Sequence, residues 1–114
     1  MGTITEQCSG FFGIRRRFTA VCTVIMEPHD DLHTRWQEAR RDLLDWSRKR
    51  GEKRQGIELV FFTVPERFAK IKDHLVAAVR TDAELASLFA LFPPTVSLMT
   101  PDGDVPECYT LGAP

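Results

Sequence analysis

Hydrophobic positions change period several times along the chain, and each change marks an element. Phe18-Thr-Ala-Val-Cys-Thr-Val-Ile-Met26 is rich in β-branched and apolar residues and predicts a largely buried strand. Pro28 breaks it, and Asp30 or Asp31 is placed to accept hydrogen bonds from the free amides of a following helix. Leu32, Trp36, Ala39, Leu43 and Trp46 recur at alternating four- and three-residue offsets, one stripe of a helix. Arg48, Lys49 and Arg50 suit the negative end of its dipole, so the helix ends near Arg50, with Gly51 and Gly56 bracketing the exit. Ile57 to Val64 predicts a second strand whose continuous apolar centre is that of a strand covered on both faces by helices.

Pro65 suits a first helical turn, and Phe68, Ile71, Leu75 and Ala78 form the next helical stripe. Thr81-Asp82-Ala83-Glu84 has the form of a capping box with Thr81 as the cap, opening a segment with Leu85, Leu88, Phe89 and Phe92 on its apolar side. Pro93-Pro94 stops that segment. Thr95 to Thr100 alternates, with Val96 and Leu98 on one side and Thr95, Ser97 and Met99 on a less deeply buried one. Pro101-Asp102-Gly103-Asp104 carries turn chemistry leading to a last short antiparallel strand, Glu107 to Leu111. The predicted order is β-α-β-α-α-β-β, an α/β fold.

The 114 residues make one domain: an N-terminal arm (1–17), a β-α-β unit (18–64), helices (65–92) and a C-terminal hairpin (93–114). With 43% hydrophobic and 27% charged residues, the composition excludes disorder and low-complexity classes. No apolar run approaches the roughly 18 to 20 residues of a membrane crossing, and residues 1–10 lack the pattern of a secretory signal. Cytoplasmic location is therefore expected, with Cys8, Cys22 and Cys108 as reduced thiols: Cys22 and Cys108 small buried hydrophobes, Cys8 exposed. The net charge of −1 hides a polarity. Residues 1–80 hold all 15 bases and 11 of the 16 acids, whereas the last 34 hold five acids and no base.

The distal part of the chain, Asp82 to Gly112, resembles that of thioredoxin-like proteins, on the strength of Phe92-Pro-Pro-Thr95, Val96-Ser-Leu98, Asp102-Gly103-Asp104-Val105 and Leu111-Gly112. The resemblance implies a mixed sheet, without the family's final helix, and a cis proline at Pro94. A ferredoxin-like α+β sandwich built from similar elements is the alternative. A redox-active member needs a thiol at the start of the first helix, and this chain has Glu27-Pro28-His29-Asp30-Asp31-Leu32-His33 there. The resemblance thus implies a redox-inactive member. With no helix after the last strand, one sheet face lacks cover unless residues 1–17 wrap over it; otherwise a second copy or another protein fills the vacancy.

No catalytic signature appears: there is no nucleophile elbow, no phosphate loop and no CxxC pair. The expected function is accordingly that of a non-catalytic protein-binding or adaptor module, possibly homodimeric, with no cofactor. Its contact surfaces are expected at Pro94, Thr95, Ser97, Met99 and Tyr109 on the sheet face and edge strand. Two alternatives carry named residues. His29 and His33, with Asp30 and Asp31, are the one cluster of metal-ligand types and would make the protein a small enzyme or a metal-binding protein; helix capping explains the cluster with fewer assumptions, so no metal site is assigned. Arg15, Arg16 and Arg17, and Arg48, Lys49, Arg50, Lys53 and Arg54, are the densest basic runs. They are candidate polyanion contacts and would make the protein a nucleic-acid binder, against which stand an overall pI of 6.3 and the absence of a recognition motif, so a nucleic-acid partner is not expected.

Overall fold

A computed structural model describes residues 4–11, 14–51, 55–104 and 106–111, apart from the side chains of residues 9–11 and 14–16. Its elements are β1 (Ile4–Phe11), β2 (Ile14–Ile25), α1 (Leu32–Arg50), β3 (Gln55–Phe62), α2 (Phe68–Thr81, entered through a 3-10 turn at Pro65–Arg67), α3 (Ala83–Leu91), β4 (Thr95–Met99) and β5 (Glu107–Thr110). They form one five-stranded sheet in the order β1-β2-β3-β4-β5. The three central strands are parallel, and an antiparallel neighbour lies at each edge. The fold is thus α/β with a mixed sheet.

The N-terminal arm is the main correction. Instead of wrapping over a sheet face, Ile4–Phe11 joins the sheet in plane, with Ile4 opposite Cys22 and Cys8 opposite Phe18. The first predicted strand accordingly starts earlier, at Ile14. Thr5 and Gln7 alternate with Ile4 and Glu6, a period-two pattern too polar to stand out as a strand until pairing with β2 satisfies its backbone. The order becomes β-β-α-β-α-α-β-β, which is not the β-α-β-β-α-β order of the ferredoxin-like alternative.

The helices begin and end for local reasons. Asp31 caps α1 by accepting from the Thr34 backbone N–H at 3.2 Å, and Gly51 closes it at φ 63°, a left-handed conformation that glycine adopts without a Cβ penalty. The cap of α3 is Asp82, not Thr81: the Asp82 carboxylate accepts from the Leu85 N–H, while the Thr81 hydroxyl donates to the Ala77 carbonyl within α2. Glu84 does not reach back to close a capping box but pairs with Arg48 and Arg40. Asp82 serves twice, because Arg40 of α1 binds the same carboxylate and ties α1 to the α2–α3 corner. That contact holds the Asp82 carboxyl below its ordinary value, chiefly through the guanidinium hydrogen bond.

All three helices pack together. Besides Arg40 with Asp82, Arg48 meets Glu84 at 2.7 Å, and the His33 and His74 rings meet edge to face between α1 and α2. They therefore lie on one side of the sheet. Chirality demands it: two right-handed crossovers, β2 to β3 and β3 to β4, both step the same way across the sheet and put their helices on the same face. The core fills the gap, with Ala20, Cys22, Val24, Leu59, Phe61, Val96 and Leu98 from the sheet under Trp36, Leu43, Ile71, Leu75 and Leu85. At the β1 end, the Trp46 indole N–H donates to Glu6 at 2.7 Å, and Arg50 pairs with the same carboxylate while its guanidinium lies 4.0 Å from the centre of the Phe18 ring.

Candidate functional site

Strand alternation decides what the second face carries. Ala20, Cys22 and Val24 point to the helices, so Thr19, Val21, Thr23 and Ile25 point away. In β3, Ile57, Leu59 and Phe61 are buried, which places Glu58, Val60 and Phe62 on the opposite side. In β4 the same rule puts Thr95, Ser97 and Met99 there, and pairing adds Cys108 and Thr110 of β5. No described element covers this face. The continuous apolar run Leu59-Val60-Phe61-Phe62 is therefore only half used, contrary to the expectation of helices on both sides of that strand. Val60 and Phe62 are half-buried and Ile25 is 60% exposed.

At the carboxyl ends of β2 and β3 this face runs into a cavity of about 460 Å³ lined by Ile25, Met26, Pro28, Phe62, Val64 and Pro101, with Glu27 as the single charged residue among the described ones. A second depression, about 520 Å³, lies along β5 beside Lys72, Val76, Glu107, Cys108 and Tyr109. Lys72 pairs with Glu107 there. Burial, and then the Glu107 carboxylate, push the Tyr109 phenol up.

The sequence-predicted contact residues divide. Thr95, Ser97 and Met99 lie on the uncovered face, half-buried among neighbours. Pro94 does not: it is fully buried, and its carbonyl accepts the Leu111 N–H at 2.9 Å, so it offers no contact surface. Its peptide is not cis, as the thioredoxin-like resemblance implies; no cis bond occurs among the described residues. Tyr109 turns to the helix side, opposite Val96, with its hydroxyl buried. Cys108 is exposed rather than buried, because β5 is an edge strand and Cys108 lies on its outward side with Thr110, while Cys8 is exposed and Cys22 buried as expected. Missing from the sequence list are Val21, Ile25, Val60 and Phe62. The signal for them was the doubly apolar β3 in a chain whose helices all fit one layer.

The basic runs do not form one free patch. Arg48 pairs with Glu84 and Asp45, and Arg50 with Glu6. Arg17 lies across Gly56, so a Cβ at residue 56 would sit 2.6 Å from the Arg17 Nε. Lys49 is exposed; the side chains of Arg15 and Arg16, and Lys53 and Arg54, fall outside the described residues. The two histidines of the proposed cluster separate. His29 sits in the turn before α1, Asp30 accepts the Glu27 N–H and an Arg35 contact, and Asp31 caps the helix. His33 instead meets His74, at 6.3 Å between ring centres. Burial first, then His33, depress the His74 imidazole, against an opposing pull from Asp31. Among the described residues no group of three His, Cys, Asp or Glu side chains is placed to hold a metal, and no helix is long and apolar enough to cross a membrane.

The described residues form a two-layer α/β sandwich with a mixed sheet whose second face none of them covers. Comparison with protein-family models, with curated proteins and with solved structures finds no match to this chain.

Proposed function

We propose that the protein is a non-catalytic binding module that docks a second copy of itself on the uncovered sheet face. One observation carries this: a parallel sheet centre, β2-β3-β4, whose apolar second face, Val21, Ile25, Val60, Phe62 and Met99, has no layer of described residues over it. Parallel sheets ordinarily lie between two layers, so the missing one is the natural place for a partner. The dimensions agree. Five strands about 4.8 Å apart and some six residues of about 3.3 Å give a face of roughly 500 Å² before side-chain relief, so two copies bury about 1,000 Å², the lower end of specific interfaces. Face-to-face stacking of two sheets is a standard packing mode, and the face does not repel its own image, since its described charges are one base, Arg17, and one acid, Glu58. Thiols not joined in a disulfide at Cys8, Cys22 and Cys108 fit a reducing compartment, which favours the cytoplasm. A redox-inactive, thioredoxin-like relationship is supported by the Pro94-Thr95 entry into β4 and by carboxylates at the start of α1; the Pro94 peptide and the added strand β1 weigh against it.

A photoreactive p-benzoylphenylalanine at Val60 tests the reading, with the same group at Arg41, on the outer side of α1, as the control. A discrete dimer adduct from position 60 and none from position 41 is expected. A discrete adduct to another protein in host lysate would replace the second copy as occupant, and the absence of any discrete adduct from position 60 would overturn the docking face altogether.

A further inference from the structure

The cavity beyond the carboxyl ends of β2 and β3 has a chemistry of its own. It lies outside the ends of the strands and not over their middle, and a volume of about 460 Å³ is in the range of small-molecule sites. Among the described residues six apolar ones line it, and Glu27 supplies the only charge.

The loop bearing Glu27 is held from both sides of its backbone. The Glu27 N–H donates to the Asp30 carboxylate at 2.8 Å, and the Glu27 carbonyl accepts from the Arg67 guanidinium at 3.1 Å. Arg67 also donates to the Asp30 carbonyl at 2.7 Å, so the cation nearest this loop is spent on carbonyl oxygens. The Glu27 carboxylate itself makes no ion pair with any described residue. Across the cavity, Pro101 leads into a turn with two further acids, Asp102 and Asp104. No described basic side chain lines the cavity to hold an anion, and a neutral apolar molecule leaves Glu27 unused. An apolar wall with one carboxylate on a loop whose backbone is held matches a ligand with a hydrophobic body and one positive end.

We propose that this cavity is a binding site for a small amphiphilic amine, an alkyl or aryl ammonium whose apolar part packs against Ile25, Phe62 and Pro101 and whose ammonium pairs with Glu27. The site shares Ile25 and Phe62 with the docking face but does not require a copy to be docked there.

The test is a titration of the full chain, followed by 1H–15N spectra, with three probes of one shape: 4-phenylbutylammonium, 4-phenylbutanol and 4-phenylbutyrate. The ammonium is expected to shift the amides of Ile25, Met26, Glu27, Phe62 and Val64, and to bind about tenfold or more tighter than the alcohol, as a charge-assisted contact implies. Glu27→Gln, at an exposed position, should remove that preference while leaving the alcohol's affinity unchanged; its own spectrum reports whether the fold is kept. Equal binding of alcohol and ammonium, shifts centred elsewhere, or no saturable shift with the ammonium at millimolar concentration would each overturn the proposal.

Discussion

Replacing Phe61 and Phe62 by alanine, one at a time, separates the two faces of β3. Phe61 is fully buried under α1, with its ring stacked on Trp36 at 6.4 Å between centres. Truncating such a side chain leaves a cavity as well as losing transfer free energy, and about 3–5 kcal/mol of stability should go with it. Phe62, the next residue, is half-buried on the uncovered side, beside neighbouring strands and the loop residues that line the cavity with it. Half of a full aromatic burial is worth about 1 kcal/mol, and the site can relax into solvent without a void. Urea unfolding of both variants against the parent, read as a shift in midpoint at unchanged slope, measures the difference. The comparison should be made at submicromolar protein and again at a hundredfold higher concentration. If the uncovered face is where copies meet, the cost of Phe62→Ala rises with concentration while that of Phe61→Ala does not. Equal losses at the lowest concentration, where copies are separated, would mean that both faces are buried within one chain and would refute the one-sided layer.

Two further outcomes follow from the corner and the histidine pair. Asp82→Ala removes the cap of α3 and the partner of Arg40 together and should cost about 2–3 kcal/mol, whereas Asp82→Asn keeps most of the cap and should cost about half of that; a double-mutant cycle with Arg40→Ala isolates the pair. Asparagine proving as harmful as alanine would shift the whole effect onto Arg40. The His74 imidazole is depressed below 6.5 by burial and His33, opposed by Asp31, so the unfolded chain binds the extra proton first: stability is full above about 6.5 and falls as pH drops below it, until the folded-state value is passed. Asp30, Asp31 and Asp82 lie below 3.8, so their contribution is lost only in stronger acid. Thermal unfolding from pH 7 to pH 5 should therefore show a loss that His74→Asn abolishes, and an equal loss in that variant would place its origin elsewhere.

The chain wrote its local structure plainly. The stripe from Leu32 to Trp46, the capping aspartates before α1, the proline before α2 and the Asp-Gly turn before β5 each follow from the reach of a few residues, and the helices and turns stand where those residues put them. Tertiary structure decided three things that such reach does not encode. Ile4–Phe11 is a strand because β2 supplies its hydrogen-bond partners, and nothing in Ile-Thr-Glu-Gln marks it alone. Asp82 displaces Thr81 as a cap because Arg40, 42 residues earlier, fixes its carboxylate. Val60 and Phe62 lie open because two same-handed crossovers stepping in one direction gather every helix on one face, a choice made by strand order and not by the apolar run that both sides of β3 share.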